Sequence, residues 1–205
     1  MFKINNSITH TYYMTSYSAT WFNPTHFSSL TKYKNKDNIS FLEIGSFEGM
    51  GTNYFINNFL NGANSTITCI DPWIEYSKAT IVKYQEYDHL INEKTYDIFL
   101  KNTAANCSKI IIKRGLSKDI LPTLTNTYDF IYVDGDHSRE AVYLDAIQSF
   151  PHLKIGGILI FDDYLWDSGE RSPKEAIDRF LNEYKNCIEI ISINYQVCIT
   201  KLKEY

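Results

Sequence analysis

Asp134, Asp136 and His137 fall within the four residues Asp134-Gly135-Asp136-His137, directly after the apolar run Phe130–Val133. Asp162 and Asp163 stand side by side directly after a second apolar run, Gly157–Phe161. If those runs are neighbouring strands, about 4.8 Å apart, their ends place Asp134 beside Asp162 and Asp163. Three unpaired carboxylates so close repel one another, and burying even one without a partner costs several kcal/mol. A hard divalent cation resolves the conflict. Oxygen ligands suit Mg²⁺, with Ca²⁺ and Mn²⁺ as alternatives. Asp136 and His137, next to that cluster, are candidates for a general base, Asp136 first and His137 second. Plainer roles stay open for each: Asp163 as a turn or cap residue, Asp134 approaching a cofactor, Asp136 stabilising the turn, His137 as a cap or outer donor.

A second set of residues points to a bound small molecule. Glu43 and Gly45 end the run Ile39–Ile44, and Gly49 and Gly51 open the segment after it. Glycines let backbone amides approach a ligand closely. The spacing Gly45-x-x-x-Gly49 is not the G-x-G-x-x-G of a dinucleotide turn, which disfavours NAD. An acid just before the glycines suits a ligand with a cationic tail, and Glu43 could balance a methionine-like amino group. Asp71, followed by Pro72 and Trp73, ends another run. Its carboxylate can accept from both ribose hydroxyls, with Trp73 near the base, or it is a turn-forming Asp before Pro. Gly115 and Ser117 follow a third run and would line the same crevice; Ser117 as a helix N-cap is the alternative.

The elements that must position these residues are legible as alternation. Apolar runs cover 39–44, 66–70, 109–113, 130–133, 157–161, 188–193 and 196–200. Most are continuous, as for parallel strands covered on both faces. Helix-like segments lie near 51–60, 84–103, 138–150 and 173–186. Ser172, Pro173 and Glu175 have the spacing of a capping box. The last two runs are separated by Asn194-Tyr195 alone and read as a tight hairpin. This order predicts a doubly wound α/β domain with a mostly parallel seven-stranded sheet closed by an antiparallel hairpin, ligands binding at the C-terminal strand ends. Residues 1–38 read as an N-terminal aromatic segment with a linker at 31–38, and 39–205 as the body. Tyr12, Tyr13, Tyr17, Trp21, Phe22 and Phe27 pack on the body or form a lid.

From about residue 39 to 201 the chain resembles the class I methyltransferases that use S-adenosylmethionine (SAM). The resemblance rests on the glycine motif, the acid ending the second strand, the Gly-x-Ser turn and the closing hairpin. It implies a Rossmann-like fold in which Glu43, Gly45, Ser46, Phe47 and Gly49 meet the methionine part of SAM. Asp71 would bind the ribose, Trp73 and Ser117 would sit by the adenine, Gly115 would line the same crevice, and Asp134 would approach the cofactor. The 28-residue separation of Asp134 and Asp162 (162 − 134) resembles the metal-dependent O-methyltransferases. "VDGDH" with "FDDY" is similar to the macrocin-type branch, which methylates sugar hydroxyls. The more distant catechol-type branch carries a Lys where this chain has His137. The resemblance implies Asp134, Asp162 and Asp163 as Mg²⁺ ligands and a sugar or glycosylated small molecule or glycan as acceptor. Two other readings compete: a metal-independent methyltransferase acting on nitrogen or carboxylate, and a non-catalytic module binding SAM or a nucleotide.

Composition sets further expectations. The 205 residues carry a net charge of −4, with 44% hydrophobic and 21% charged residues. That gives no electrostatic footprint for nucleic acid or an anionic membrane. Lys32, Lys34 and Lys36 form a short basic run closed by Asp37, a solvated loop. None of the four cysteines makes a C-x-x-C pair, so zinc and thioredoxin chemistry are not indicated. The start lacks the apolar core of a signal peptide, and no run has the length of a membrane span. A reduced, cytoplasmic enzyme, with a homo-oligomer open, is the expectation. His10, His26, His89 and His152 are scattered and receive no role.

Overall fold

In a computed structural model the described residues are 15–24, 27–73, 95–167 and 172–205. Seven strands form one sheet: β1 (Ser40–Ile44), β2 (Thr66–Asp71), β3 (Ile110–Arg114), β4 (Tyr128–Val133), β5 (Leu153–Phe161), β6 (Ile188–Ile193) and β7 (Val197–Lys201). Their order is β3-β2-β1-β4-β5-β7-β6. β1 to β5 pair in parallel, and β7 runs antiparallel to both neighbours. The helices are α1 (Met50–Phe59), α2 (Thr95–Thr103), the short α3 (Ser117–Ile120), α4 (Arg139–Ser149) and α5 (Pro173–Tyr184). This is the predicted doubly wound, Rossmann-like methyltransferase fold.

The central strands lack polar alternation because both faces are covered. Phe41, Phe130, Tyr132, Ile158, Ile160 and Cys198 join one core with Phe55 of α1 and Phe27. Leu42, Ile131, Val133, Leu159, Phe161 and Ile199 join the other with Val142 and Ala146 of α4 and Ile177 and Phe180 of α5. Successive strand residues point to opposite faces, so β1, β2, β4, β5 and β7 each feed both cores, whereas the edge strands β3 and β6 are largely exposed. Strand direction then brings the ends of β1, β2, β4 and β5 to one rim, with the order reversing between β1 and β4. That switch point is where such sheets bind ligands.

Several boundaries differ from the sequence reading. β5 begins at Leu153, not Gly157. The register shift opposite Tyr128/Phe130 and the left-handed Gly156 (φ +78°) let the strand run through a glycine pair that reads as a breaker. Ser172 is the N-cap of α5 and Pro173 follows it, but the Ser172 side chain makes no capping bond, so the capping box does not close. Ser138 does cap α4, accepting from the Ala141 amide at 3.4 Å. Across the end of the aromatic segment and the start of the segment read as a linker, a 3₁₀ turn, Ser28–Tyr33, buries Leu30 and Tyr33. Phe22 stacks on the buried Phe27 with ring centroids 5.4 Å apart. Residues 1–14 with Tyr12 and Tyr13, the 84–94 part of the helix expected over 84–103, and 168–171 of the loop after Asp163 lie outside the described residues. Among the described residues no helix is long and apolar enough to cross a membrane.

Candidate active site

The two halves of the site meet at Gly45. This residue leaves β1 with φ +88°, and a Cβ there would lie 1.9 Å from the carbonyl oxygen of Asp134. Only glycine permits both the conformation and the approach. The Gly45 amide donates to Ile70 O and the Asp134 amide to Ile44 O, each at 2.9 Å, so the ends of β2, β1 and β4 are laced together.

Glu43 sits under the glycine loop. It is 1% exposed and accepts from the hydroxyls of Ser46 (2.8 Å) and Thr52 and from the Cys69 thiol at 3.5 Å. Burial pushes its pKa up to about 7, against the pull of those donors. The carboxylate therefore faces the underside of the loop, not the crevice. Above it, Phe47 (φ +44°) donates its amide to Asp71 Oδ2 at 2.9 Å. The Trp73 amide donates to Asp71 Oδ1 at 2.6 Å, and its indole N–H to Phe47 O at 2.7 Å. Burial raises the Asp71 pKa. The Trp73 ring is enclosed beside Tyr96 and Phe99, with centroids 5.1 and 4.7 Å away, so it is a packed wall rather than an open stacking face. Gly115 donates to Asp71 O at 3.0 Å. Ser117 is the first residue of α3, not its cap, and its hydroxyl works against the raised pKa of Asp145.

The N-terminal segment is fastened over this half. Ser18 gives its amide (2.7 Å) and its hydroxyl (2.5 Å) to the two carboxylate oxygens of Glu48. Asn102 of α2 holds both the amide (3.1 Å) and the carbonyl (3.0 Å) of Ser16. Trp21 stacks on Phe47 at 5.3 Å.

In the acceptor half, the groups that converge are Asp134, His137 and Asp163, each offering a ligand atom within 4.8 Å of the others. His137 Nε2 is 3.1 Å from Asp163 Oδ2 and 3.7 Å from Asp134 Oδ1. Burial, then the charge of Asp162, pushes Asp134 up to about 8, although His137 pulls the other way. Asp162 is close by but turned differently. Its carboxylate accepts from the Tyr132 hydroxyl, from Gln196 Nε2 at 3.0 Å and from the Asp163 amide at 2.8 Å. The left-handed Asp163 (φ +55°) aims its own carboxylate at His137, and Tyr195 donates to its second oxygen at 2.8 Å. Asp136 accepts the Ser138 amide at 2.7 Å, closing the turn into α4. The Trp166 ring meets His137 edge-on at 4.9 Å. Two crowded carboxylates and an imidazole, one carboxyl held far above its ordinary range, are a donor set that fits a divalent cation.

Sequence reasoning missed Asp145, Tyr132, Tyr195 and Gln196. Asp145 lies on the buried face of α4 with its pKa raised to about 7, mainly by burial. A lone carboxylate on the inward face of an amphipathic helix is the signal that could have found it. Tyr132 shows in the sequence only as one more aromatic strand residue.

A parallel sheet with a glycine loop, an acid ending β2 and acids ending β4 and β5, all on the switch-point rim, defines a Rossmann-like α/β protein of the methyltransferase architecture. The pattern of a family described as "Methyltransferase domain" matches residues 42–164. The chain belongs to that family. An uncharacterized protein of Acanthamoeba polyphaga mimivirus is 29% identical over 149 residues, 68% of this chain and 59% of that protein. Caffeoyl-CoA O-methyltransferase 5 of Nicotiana tabacum is 28% identical over 107 residues, 48% of this chain and 44% of the relative. The chain thus spans about half the length of these curated relatives. The O-methyltransferase NovP superposes with a TM-score of 0.62 at 19% identity, covering 80% of this chain and 72% of that one. MycE methyltransferase from the mycinamycin biosynthetic pathway, in complex with Mg, SAH and mycinamycin VI, superposes at 0.59 with 17% identity, covering 89% and 50%. At these identities the two structures bear on the fold.

Proposed function

We propose that this protein is a SAM-dependent O-methyltransferase assisted by a divalent cation, acting on a hydroxyl of a sugar or glycosylated compound. The observation that carries the reading is the convergence of Asp134, His137 and Asp163 within 4.8 Å, on a strand end that touches the glycine loop through Gly45. The caffeoyl-CoA O-methyltransferase relative supports transfer to oxygen, and MycE, with Mg and SAH, supports a metal-assisted version.

SAM supplies a methyl group on a positive sulfur. The Gly45–Gly49 loop would enclose its methionine end, with Glu43 acting through the Ser46 and Thr52 hydroxyls that it holds. Asp71 orders the loop through Phe47, and each carboxylate oxygen keeps a lone pair that can accept a ribose hydroxyl. Trp73 would wall off the base, and Gly115 and Ser117 would line the same crevice. Asp134 and Asp163, with Asp162 adjoining, would hold the cation, which supplies a lowered hydroxyl pKa and a fixed acceptor oxygen. Asp136 takes the acceptor proton, with His137 the alternate base. A sugar hydroxyl is far less acidic than a phenol, so two bases beside the cation suit it.

A metal-independent transfer to nitrogen or carboxylate is the second reading. It is favoured by His137 lying between Asp134 and Asp163, where the imidazole itself bridges the two acids. Turnover of SAM on a panel of sugars, glycosylated compounds and catechols, with Mg²⁺ or exhaustive chelation, separates the readings. The expected product carries a methyl ether on a sugar carbon and needs the metal. Full activity under chelation removes the cation, and turnover of catechols alone removes the sugar.

A further inference from the structure

We infer that the turn of the closing hairpin, through the side chains of Tyr195 and Gln196, positions the Asp162-Asp163 pair for the divalent cation. The inference rests on the metal-assisted reading above. β7 runs antiparallel to β5, and its first residue, Val197, pairs with the last residue of β5, Phe161. The loop between β6 and β7 is therefore delivered to the rim where Asp162 and Asp163 leave β5. The sequence reading placed Gln196 inside the last strand; the strand begins at Val197, and Gln196 belongs to the turn.

Each side chain of the turn takes a different carboxylate. Tyr195 donates to Asp163 Oδ1 at 2.8 Å, which leaves Oδ2 facing His137 at 3.1 Å. Gln196 donates to Asp162 Oδ1 at 3.0 Å, the oxygen that also accepts the Asp163 amide. Tyr132 occupies the other oxygen of Asp162. Both acids thus have their rotation fixed by donors from outside their own loop, and partners of this kind set the orientation of metal-binding carboxylates. Gln196 gives an independent sign that it serves a bound group. It is 2% exposed, and its Oε1 is buried without a partner among the described residues. A buried unmet acceptor is destabilising, and a water or hydroxyl donor arriving with the cation would satisfy it.

A structural role would produce the same contacts, so the test must read metal affinity apart from stability. Mn²⁺ affinity measured by EPR on the full chain, with SAM affinity by calorimetry and thermal melting alongside, does so. Tyr195→Phe keeps the main-chain bond from the Tyr164 amide to Tyr195 O (2.8 Å) and removes only the hydroxyl. Gln196→Met keeps the volume and removes the amide. Each is expected to weaken Mn²⁺ binding by about 10–100-fold, with SAM affinity and melting temperature little changed. Mn²⁺ affinity within about twofold of wild type in Tyr195→Phe overturns the inference, and that arm decides alone if Gln196→Met does not fold. If wild type binds no Mn²⁺, or binds it undiminished after Asp134→Asn, the metal reading itself falls and this inference falls with it.

Discussion

Replacing Glu43 with glutamine should remove a pH dependence of stability that the wild type shows between about 4.5 and 7. The Glu43 carboxyl is 1% exposed, and burial lifts its pKa from 4.5 to about 7 even with three donors on it. Below 4.5 the group is protonated in folded and unfolded chains alike, and it contributes nothing. Between the two values the unfolded chain has released a proton that the folded chain keeps, so stability falls as pH rises. Above the folded value both states are ionised and the deficit is constant. The gap from 4.5 to 7, at about 1.4 kcal/mol per pH unit, amounts to about 3 kcal/mol. Glutamine still offers an acceptor to Ser46 and Thr52 and carries no charge. Asp134 and Asp145 also titrate high, at about 8 and 7, so the quantity to follow is the difference between wild type and variant. Urea unfolding at pH values on both sides of the window gives it. The variant should gain about 3 kcal/mol relative to wild type from the acid to the alkaline side. A difference that stays flat with pH refutes the placement of an ionisable Glu43 beneath the loop.

Gly45→Ala combines a left-handed backbone with a Cβ 1.9 Å from the Asp134 carbonyl oxygen, and should cost more than about 3 kcal/mol in thermal or urea unfolding; an unchanged melting temperature refutes the close approach. Asp136→Asn should lower turnover by about 10²–10⁴-fold with SAM affinity by calorimetry preserved, and a larger loss from His137→Ala passes the base to the histidine. Lys201 is fully buried, with Nζ on Leu153 O at 2.9 Å and Phe150 O at 3.3 Å. Lys201→Met strips a donor from Leu153 O and one from Phe150 O, which also accepts the Leu153 amide, and a loss of about 1–3 kcal/mol is expected in urea unfolding.

The sheet was legible because its central strands are covered on both faces and so read as unbroken apolar runs, and the edge strands β3 and β6 carry apolar runs even where they are exposed. The rim was legible because the chemistry-bearing residues follow those runs directly: Gly45 after β1, Asp71 closing β2, Asp134 after β4, Asp162 after β5. What the runs do not carry is direction. In a strand buried on both sides nothing in the sequence says that Glu43 points under its loop. Two adjacent aspartates read as one chelating pair, yet the positive φ of Asp163 turns them apart and puts His137, read as a base, among the converging groups. Tyr195 and Gln196 were hidden by a hairpin loop one residue longer than the apolar pattern indicated. The glycine pair at 156–157 concealed the start of β5 in the same way, since a bulge and a turn call for the same residues.

The sheet order β5-β7-β6 has a consequence for how the chain matures on the ribosome. β7 is synthesised last of the seven strands, yet it occupies the place next to β5. Until residues 188–201 have emerged, β5 has parallel β4 on one side and an open edge on the other, with Ile158 to Phe161 apolar throughout. That nascent sheet carries a sticky border, the kind of surface that chaperones and neighbouring nascent chains bind. It also carries Asp162 and Asp163 without the turn that holds them. Insertion of β7 closes the border and sets the two carboxylates in one event, so a ribosome-bound chain stalled before that strand has a sheet but no assembled rim.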